Sequence, residues 1–143
     1  MTTTNRSPAP IASLADLIAG LSPRLDANEY VFVRLDETLP APAAADILAS
    51  FRETEGTTLI LTRDRAADLG FTPIARCMRI TLGVFSALDA VGLIAAVSAQ
   101  LAQAQIPVNV FSAIHHDHLF VPPHKASRAL ALLQDMASAA RSS

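Results

Sequence analysis

The sequence predicts an α+β fold of ferredoxin-like type, in which an antiparallel sheet carries helices on one face. Two observations predict it. Short runs rich in β-branched and aromatic residues are separated by segments in which apolar residues recur at helical spacing. The order helix–strand–strand–helix occurs twice, in residues 13–70 and 90–137, and a strand at 76–86 joins the two halves. Strands and helices in this order form a sheet with its helices packed on one side.

The first half is predicted to contain a helix, a strand, a hairpin and a second helix, at residues 13–21, 29–35, 47–62 and 64–70. In the first helix, apolar residues at i, i+3, i+4 and i+7 form one face. Residues 47–53 fit either a helical turn or a strand, and we favour a strand that pairs with 57–62 across Glu55 and Gly56. Asp64 is expected to cap the second helix.

The second half begins with the strand at 76–85, in which apolar residues alternate between the two faces. A helix, two antiparallel strands and a final helix follow, at residues 90–104, 108–114, 118–121 and 124–137, with a turn at 115–117. Asp89 precedes the first of these helices. Its carboxylate could accept the amide hydrogens of Val91 and Gly92 and so cap the helix.

The composition fits one ordinary domain, or two small modules that share a sheet. Of the 143 residues 51% are hydrophobic, which is enough for a packed core. The eleven Lys and Arg residues are scattered and the net charge is −2, so we expect no nucleic-acid partner. Cys77 is the single cysteine. It excludes an internal disulfide and suits the reducing cytoplasm, where we expect the protein to be located.

One apolar run, residues 80–99, is long enough to cross a membrane and contains a single charge, Asp89. A charge at the bilayer centre costs about 2.5–3.5 kcal/mol, and the periodicity changes from strand to helix within the run. Near the N-terminus, Pro8, Pro10 and Asp16 interrupt the apolar stretch that a secretory signal would need. We therefore expect no membrane association.

The turn after the central strand is a candidate site for a small carboxylate. The strand leads into a helix N-terminus, where free amides and the helix dipole attract anions. Gly92 has no side chain to keep a ligand away from these amides. An amino acid also needs acceptors for its ammonium group, which backbone carbonyls, Asn109 or Glu55 could provide. The serines and Cys77 show no arrangement with a base, so we expect no catalysis and no cofactor.

Three segments together form a recognisable pattern. They are Asp89-Ala90-Val91-Gly92-Leu93-Ile94, then Val97 and Leu101, then Ile106-Pro107-Val108-Asn109-Val110. This pattern resembles that of the ACT domain family. More narrowly, the chain resembles a bacterial subfamily of small stand-alone ACT-like proteins. Their His-Asp-His-x-Phe-Val-Pro segment matches residues 116–122, and residues 51–60 are similar to their upstream hairpin.

The resemblance implies a β-α-β-β-α-β unit that binds amino acids or similar small ligands. In the family the ligand lies near the first strand–helix turn and the facing strand, which here implies Asp89, Val91, Gly92, Leu93, Ile94 and Asn109. It further implies a tandem arrangement. We expect a disordered lead-in at residues 1–10, an N-terminal ACT-like subdomain at 11–75 and a C-terminal ACT domain at 76–140.

The chain departs from the family pattern in two respects. Val91 replaces the usual proline, so the turn is less rigidly preset. The sequence also has no strand after its last helix. An open sheet edge invites aggregation, so the N-terminal half or a partner chain must cover it, and we expect a homodimer.

The sequence has one site-like polar cluster, formed by His115, His116, Asp117, His118 and His124. Strand alternation would put His116 and His118 on one face, as a metal site could require. However, helical His spacing and cysteine ligands are absent from the cluster, and a turn separates neighbouring side chains, so we expect no bound metal. We expect Asp117 to stabilise the turn through nearby amides, and His116 or Asp117 to contact the ligand.

These observations favour a cytoplasmic, non-catalytic sensor that binds an amino-acid-type ligand. Two alternatives stay open. One is a structural dimerisation module without a ligand, and the other is a metal-dependent enzyme that uses the turn from His115 to His118.

Overall fold

The computed structural model describes residues 9–11 and 13–143, and this part of the chain contains four helices and six strands. The helices are α1 (Leu14–Ala19), α2 (Arg63–Leu69), α3 (Leu93–Gln103) and α4 (Ala126–Arg141). The strands are β1 (Pro23–Arg34), β2 (Ala49–Glu53), β3 (Gly56–Thr62), β4 (Ala75–Leu82), β5 (Asn109–Ser112) and β6 (Asp117–Val121). Short 3-10 turns lie at Ala44–Asp46 and Pro123–Lys125. Most of the expected lead-in at 1–10 lies outside the described residues.

The strands form one antiparallel sheet in the order β2-β3-β1-β4-β6-β5. This order contains two ferredoxin-like units that share the central pair. The first unit follows the chain as β1, β2, β3, α2 and β4, and the second as β4, α3, β5, β6 and α4. β1 also closes the second unit, because Pro23 stands opposite Leu82 and Arg24 opposite Thr81. The predicted α+β class with a shared antiparallel sheet is confirmed.

The helices pack on one face of this sheet, over two apolar clusters. The larger cluster lies beneath α1, α3 and α4 and contains Leu17, Leu21, Ile80, Leu82, Leu101, Leu119 and Leu133, all fully buried. The smaller lies beneath α2 and contains Val31, Val33, Leu59, Leu61, Ala66 and Phe71. Register places both on the same face, because Val31 stands opposite both Leu61 and Arg76, and Arg76 shares its face of β4 with Ile80. Burying each large apolar side chain contributes about 1.5–3 kcal/mol.

The other face of the sheet carries an aromatic cluster, and no helix of the described residues packs on it. Phe120 lies at its centre, edge-on to Tyr30, Phe32 and Phe111 at centroid distances of 6.3, 5.9 and 6.3 Å. Cys77 is buried in the same cluster. Burial raises the pKa of its thiol to about 12, so Cys77 packs as a small apolar side chain and is not a reactive thiolate.

The N-terminal cap of α2 differs from the prediction. The Thr62 hydroxyl, and not Asp64, accepts the amide hydrogen of Arg65 at 3.3 Å. A capping residue directly precedes the first helical residue, and Asp64 already lies inside the first turn. The assignment of the cap to Asp64 was therefore wrong.

Two strand predictions have different outcomes. The favoured strand at 47–53 is confirmed, since β2 pairs with β3 and Glu53 stands opposite Gly56. The strand predicted to start at residue 29 begins at Pro23. Its extra length is what allows β1 to pair with β4 over both ends. None of the helices among the described residues is long and apolar enough to cross a membrane.

Candidate functional site

A small hollow lies where β4 leads into α3. Its volume is about 160 Å³, and it is lined by residues 86–88, 90 and 92–95 together with Ser112 and Asp117. The sheet explains why these segments meet. Thr81 near the end of β4 stands opposite His118 at the start of β6, and Asp117 stands opposite Ser112 at the end of β5. Three strand ends thus converge on the N-terminus of α3.

The N-terminus of α3 supplies unbonded amides to this hollow. The first bond inside the helix runs from the Ala96 amide to the Gly92 carbonyl at 2.9 Å. The amides of Leu93, Ile94 and Ala95 therefore have no partner within the helix. No side chain of the described residues caps this end, and the first turn holds no acidic residue. These amides and the positive end of the helix dipole suit an anion.

The predicted cap at Asp89 is wrong. α3 begins at Leu93, not at residue 90, and Gly92 occupies the capping position with a φ of +104°. Asp89 is exposed and does not line the hollow. Val91 does not line it either, and this residue is 84% exposed. The positive φ at Gly92 sets the helix start later than the apolar spacing suggests.

The approach of α1 also leaves little room for a side chain at Gly92. A Cβ atom on Gly92 would lie 3.1 Å from Cδ2 of Leu14. Just before α1, the Ile11 amide donates to the Phe85 carbonyl at 2.8 Å and forms a parallel bridge beside Ser86. Ile11 therefore lies against the turn that lines the hollow.

Asp117 supplies a negative charge to the same hollow. It is only 7% exposed, and the Ser86 hydroxyl donates to its Oδ2 at 3.3 Å. The turn before it is held by the amide of Ala113, which donates to the His116 carbonyl at 3.0 Å. Asp117 therefore does not hold this turn through nearby amides, as the sequence predicts; its carboxylate instead accepts a hydrogen bond from Ser86.

Two predicted ligand contacts lie away from the hollow. Asn109 stands opposite Phe120 at the far end of β5 from Ser112, on the face of the sheet that carries the aromatic cluster. Glu55 lies in the β2–β3 turn. β2 is the edge strand at the other side of the sheet from β5, and Glu55 lines a separate hollow there with Arg34. The hollow brings together Gly92, Leu93, Ile94 and Asp117. The other predicted contacts do not line it, namely Asp89, Val91, Asn109, Glu55 and His116.

Two serines that the sequence analysis did not single out, Ser86 and Ser112, line the hollow. Ser86 and Ser112 both face Asp117, the first through its hydrogen bond and the second through strand register. The pairing of β5 with β6 places Ser112 opposite Asp117, so a correct register for this predicted hairpin would have identified Ser112.

The histidines of the β5–β6 turn have separate partners. His115 stacks against Phe85 at 5.5 Å, and His116 Nδ1 lies 3.4 Å from the Val84 carbonyl. His118 Nδ1 lies 3.0 Å from the Thr81 hydroxyl, on the opposite face of β6 from Asp117. Within residues 9–11 and 13–143 there is no group of three or more His, Cys, Asp or Glu side chains that could hold a metal ion.

Comparison with protein families gives two matches in tandem. One model of the ACT domain matches residues 9–78, and a second model of the ACT domain matches residues 75–135. The two matches overlap in β4, the strand that both ferredoxin-like units share. None of the curated proteins matches the chain.

Several solved structures are similar to this chain. A Vibrio cholerae protein of unknown function, described as a possible transport protein, is 39% identical, with a TM-score of 0.73 over 87% of this chain and 95% of that one. An Agrobacterium tumefaciens protein is 25% identical, with a TM-score of 0.57 over 77% and 84% of the two chains. The ligand-free regulatory subunit of aspartate kinase from Thermus thermophilus is 11% identical, with a TM-score of 0.58 over 82% and 97%. This last likeness shows the fold alone.

Proposed function

We propose, on the premise that the chain belongs to the ACT domain family, that it is a non-catalytic regulatory protein that binds an amino acid or a similar small metabolite. ACT domains are typically regulatory modules that bind small molecules. The observation that carries the proposal is the hollow after β4. It is lined both by the free amides of α3 and by the buried Asp117 carboxylate.

The two charged ends of an amino acid match these two features. The ligand carboxylate would accept hydrogen bonds from the amides of residues 93–95, as anions do at helix N-termini. The ammonium group would donate to Asp117, with the hydroxyls of Ser86 and Ser112 as further partners. Neither interaction needs a catalytic group. Asn109 and Glu55 lie too far away in the fold to take part.

The size of the hollow favours a small ligand. Its volume of about 160 Å³ is below the range of roughly 300–1,000 Å³ that is typical of sites for drug-sized molecules. The hollow therefore accommodates the common head group of an amino acid more easily than a large side chain. A larger side chain would extend past its mouth.

Ligand occupancy could be passed to a partner at the same end of the protein. Leu88, Val91 and Ile114 belong to the two turns beside the hollow, and these residues are 69%, 84% and 66% exposed. Exposed apolar groups of this kind mark contact surfaces when they cluster. We expect a homodimer that uses this end, in the cytoplasm. A switch additionally requires that the ligand makes different contacts in two states of the assembly.

A thermal-shift screen tests the proposal. Each of the twenty amino acids and a set of keto acids is added at millimolar concentration, and a bound ligand at about one hundred times its Kd adds roughly 2.7 kcal/mol of stability. Asp117→Asn should weaken the response to amino acids, and Asp135→Asn, an exposed aspartate on α4, is the control. If no compound shifts the melting temperature, the structural dimerisation module is the better account.

A further inference from the structure

The face of the sheet without helices has a second polar site. Register places Arg24 on β1, Thr81 on β4 and His118 on β6 side by side, because Arg24 stands opposite Thr81 and Thr81 opposite His118. Arg79 lies two residues before Thr81 on β4, so it shares this face. Three neighbouring strands thus direct donor groups to one place.

A shallow hollow lies over this row. Its volume is about 310 Å³, and Arg24, Leu25, Asp26, Arg79 and Thr81 line it. It forms where β1 departs from regular pairing with β4, between residues 25 and 29. At this irregularity the backbone of β1 bends away from β4, and the hollow occupies the space between the two strands.

The one carboxylate in this hollow is already used. Asp26 accepts hydrogen bonds from Arg79 Nη2 and from the Tyr30 hydroxyl, each at 2.7 Å, and from the Asn28 amide at 2.9 Å. Burial opposes ionisation of Asp26, but these hydrogen bonds outweigh it, and the pKa of its carboxyl falls below its usual value. Asp26 therefore holds Arg79 in position through Nη2 alone, and the other N–H groups of the guanidinium do not donate to it.

Several donors at the hollow are left without a partner. Arg79 Nη1 makes no hydrogen bond among the described residues and keeps some accessible surface, whereas Nε is unpaired but too deeply buried for a ligand in the hollow to reach. Arg24 is exposed and makes no ion pair within residues 9–11 and 13–143. When His118 carries its hydrogen on Nδ1, the Thr81 hydroxyl oxygen accepts a hydrogen bond from Nδ1–H. The Thr81 hydroxyl hydrogen is then free for another acceptor.

We infer that this hollow binds a phosphate group, held by Arg24, by Nη1 of Arg79 and by the Thr81 hydroxyl. A tetrahedral oxyanion presents acceptor oxygens in several directions, as donors from two strands require. Two guanidinium groups against one carboxylate leave an excess of positive charge, and arginine suits phosphate because of its planar set of donors. The site is separate from the hollow at Gly92, because Asp117 and His118 face opposite sides of β6.

Titration of the ¹⁵N-labelled full chain with inorganic phosphate tests this inference. We expect saturable shifts of the amides of Arg24, Arg79 and Thr81, and smaller shifts with sodium chloride at matched ionic strength. A parallel titration with glycerol phosphate distinguishes free phosphate from a phosphorylated metabolite, since the tighter of the two identifies the source.

Three variants and a control make the result specific. Arg24→Gln and Thr81→Val should each weaken phosphate binding several-fold, and Arg79→Lys should do so while keeping its charge beside Asp26. Arg128→Gln, an exposed arginine on α4, should bind as the wild type does. Equal shifts with sodium chloride, or shifts confined to residues 93–95, would overturn the inference. Neither result bears on amino-acid binding at Gly92.

Discussion

The Ser86 hydroxyl donates a hydrogen bond to Oδ2 of Asp117 at 3.3 Å, and this bond joins the two segments that flank the hollow. Ser86 follows β4, and Asp117 begins β6. The bond therefore holds the turn that leads to α3 against the start of a neighbouring strand. It also fixes the carboxylate that we assign to the ligand ammonium group.

Ser86→Ala should lower the free energy of unfolding by about 0.5–1.5 kcal/mol, the typical contribution of one hydrogen bond. It should also weaken amino-acid binding, because Asp117 loses the partner that orients it. Urea denaturation and calorimetric titration measure the two effects. Ser50→Ala, an exposed serine on β2, should change neither. Unaltered binding in Ser86→Ala would remove Ser86 from the site.

Gly92→Ala should destabilise the protein by about 1–3 kcal/mol, because an L-residue rarely adopts a φ of +104° and holding it there is costly. The new methyl group would also meet Leu14 Cδ2 at 3.1 Å. The free energy of unfolding from urea denaturation gives the size of the effect.

The double variant Leu14→Ala/Gly92→Ala separates these two causes. Truncating Leu14 removes the steric conflict but not the unfavourable φ. We expect the double variant to be less destabilised than the sum of the single variants. Strict additivity would show that Leu14 does not constrain the residue at position 92.

His118 should make stability depend on pH. Burial, followed by the Arg79 guanidinium, lowers its pKa below the ordinary value of 6.5, while His116 acts in the same direction and Asp117 opposes it. The unfolded chain then binds more protons, so this stability is present above pH 6.5 and is lost as the pH falls towards the lower folded pKa.

His118→Gln should reduce the loss of stability between neutral pH and pH 5. Asp26 and Glu29, whose carboxyl pKa values are lowered, lose their contribution only at more acid pH. His124→Gln, an exposed histidine, should keep the wild-type slope. An unchanged slope in His118→Gln would contradict this account.

Most of the fold follows from local pattern, but β1 shows where pattern is insufficient. Residues 23–28 contain proline, aspartate and asparagine, which are typical of turns. In the structure they form the irregular start of β1, which exists because Pro23 and Arg24 pair with β4. Pairing between distant segments overrides local preference here. The same pairing completes the second ferredoxin-like unit, because the start of β1 takes the place of a strand after α4.

The candidate site was predictable in part. Gly92 and Asp117 stood out through the turn and the hairpin, and both line the hollow. The sequence indicates Asn109 because it begins its strand, but β5 runs towards the hollow, so the last residue of the strand, Ser112, lines the hollow. The three residue steps from Asn109 to Ser112 span about 10 Å at roughly 3.4 Å each. Strand direction, which single residues do not reveal, decides which end meets the ligand.

The domain division at residues 75 and 76 remains a proposal. The break falls at the start of β4, a strand that both ferredoxin-like units use. β1 also belongs to both. Two units that share their central strands are expected to unfold together, because neither keeps a complete sheet without the other.

The most direct test of the ligand site is an NMR comparison of the ¹⁵N-labelled protein with and without a mixture of the twenty amino acids. The account predicts that the amides of Leu93, Ile94 and Ala95 shift most, together with that of Asp117, and that Asp117→Asn suppresses these shifts. Shifts centred on the hairpin at Glu55, or no shift at residues 93–95 with any amino acid, would contradict it.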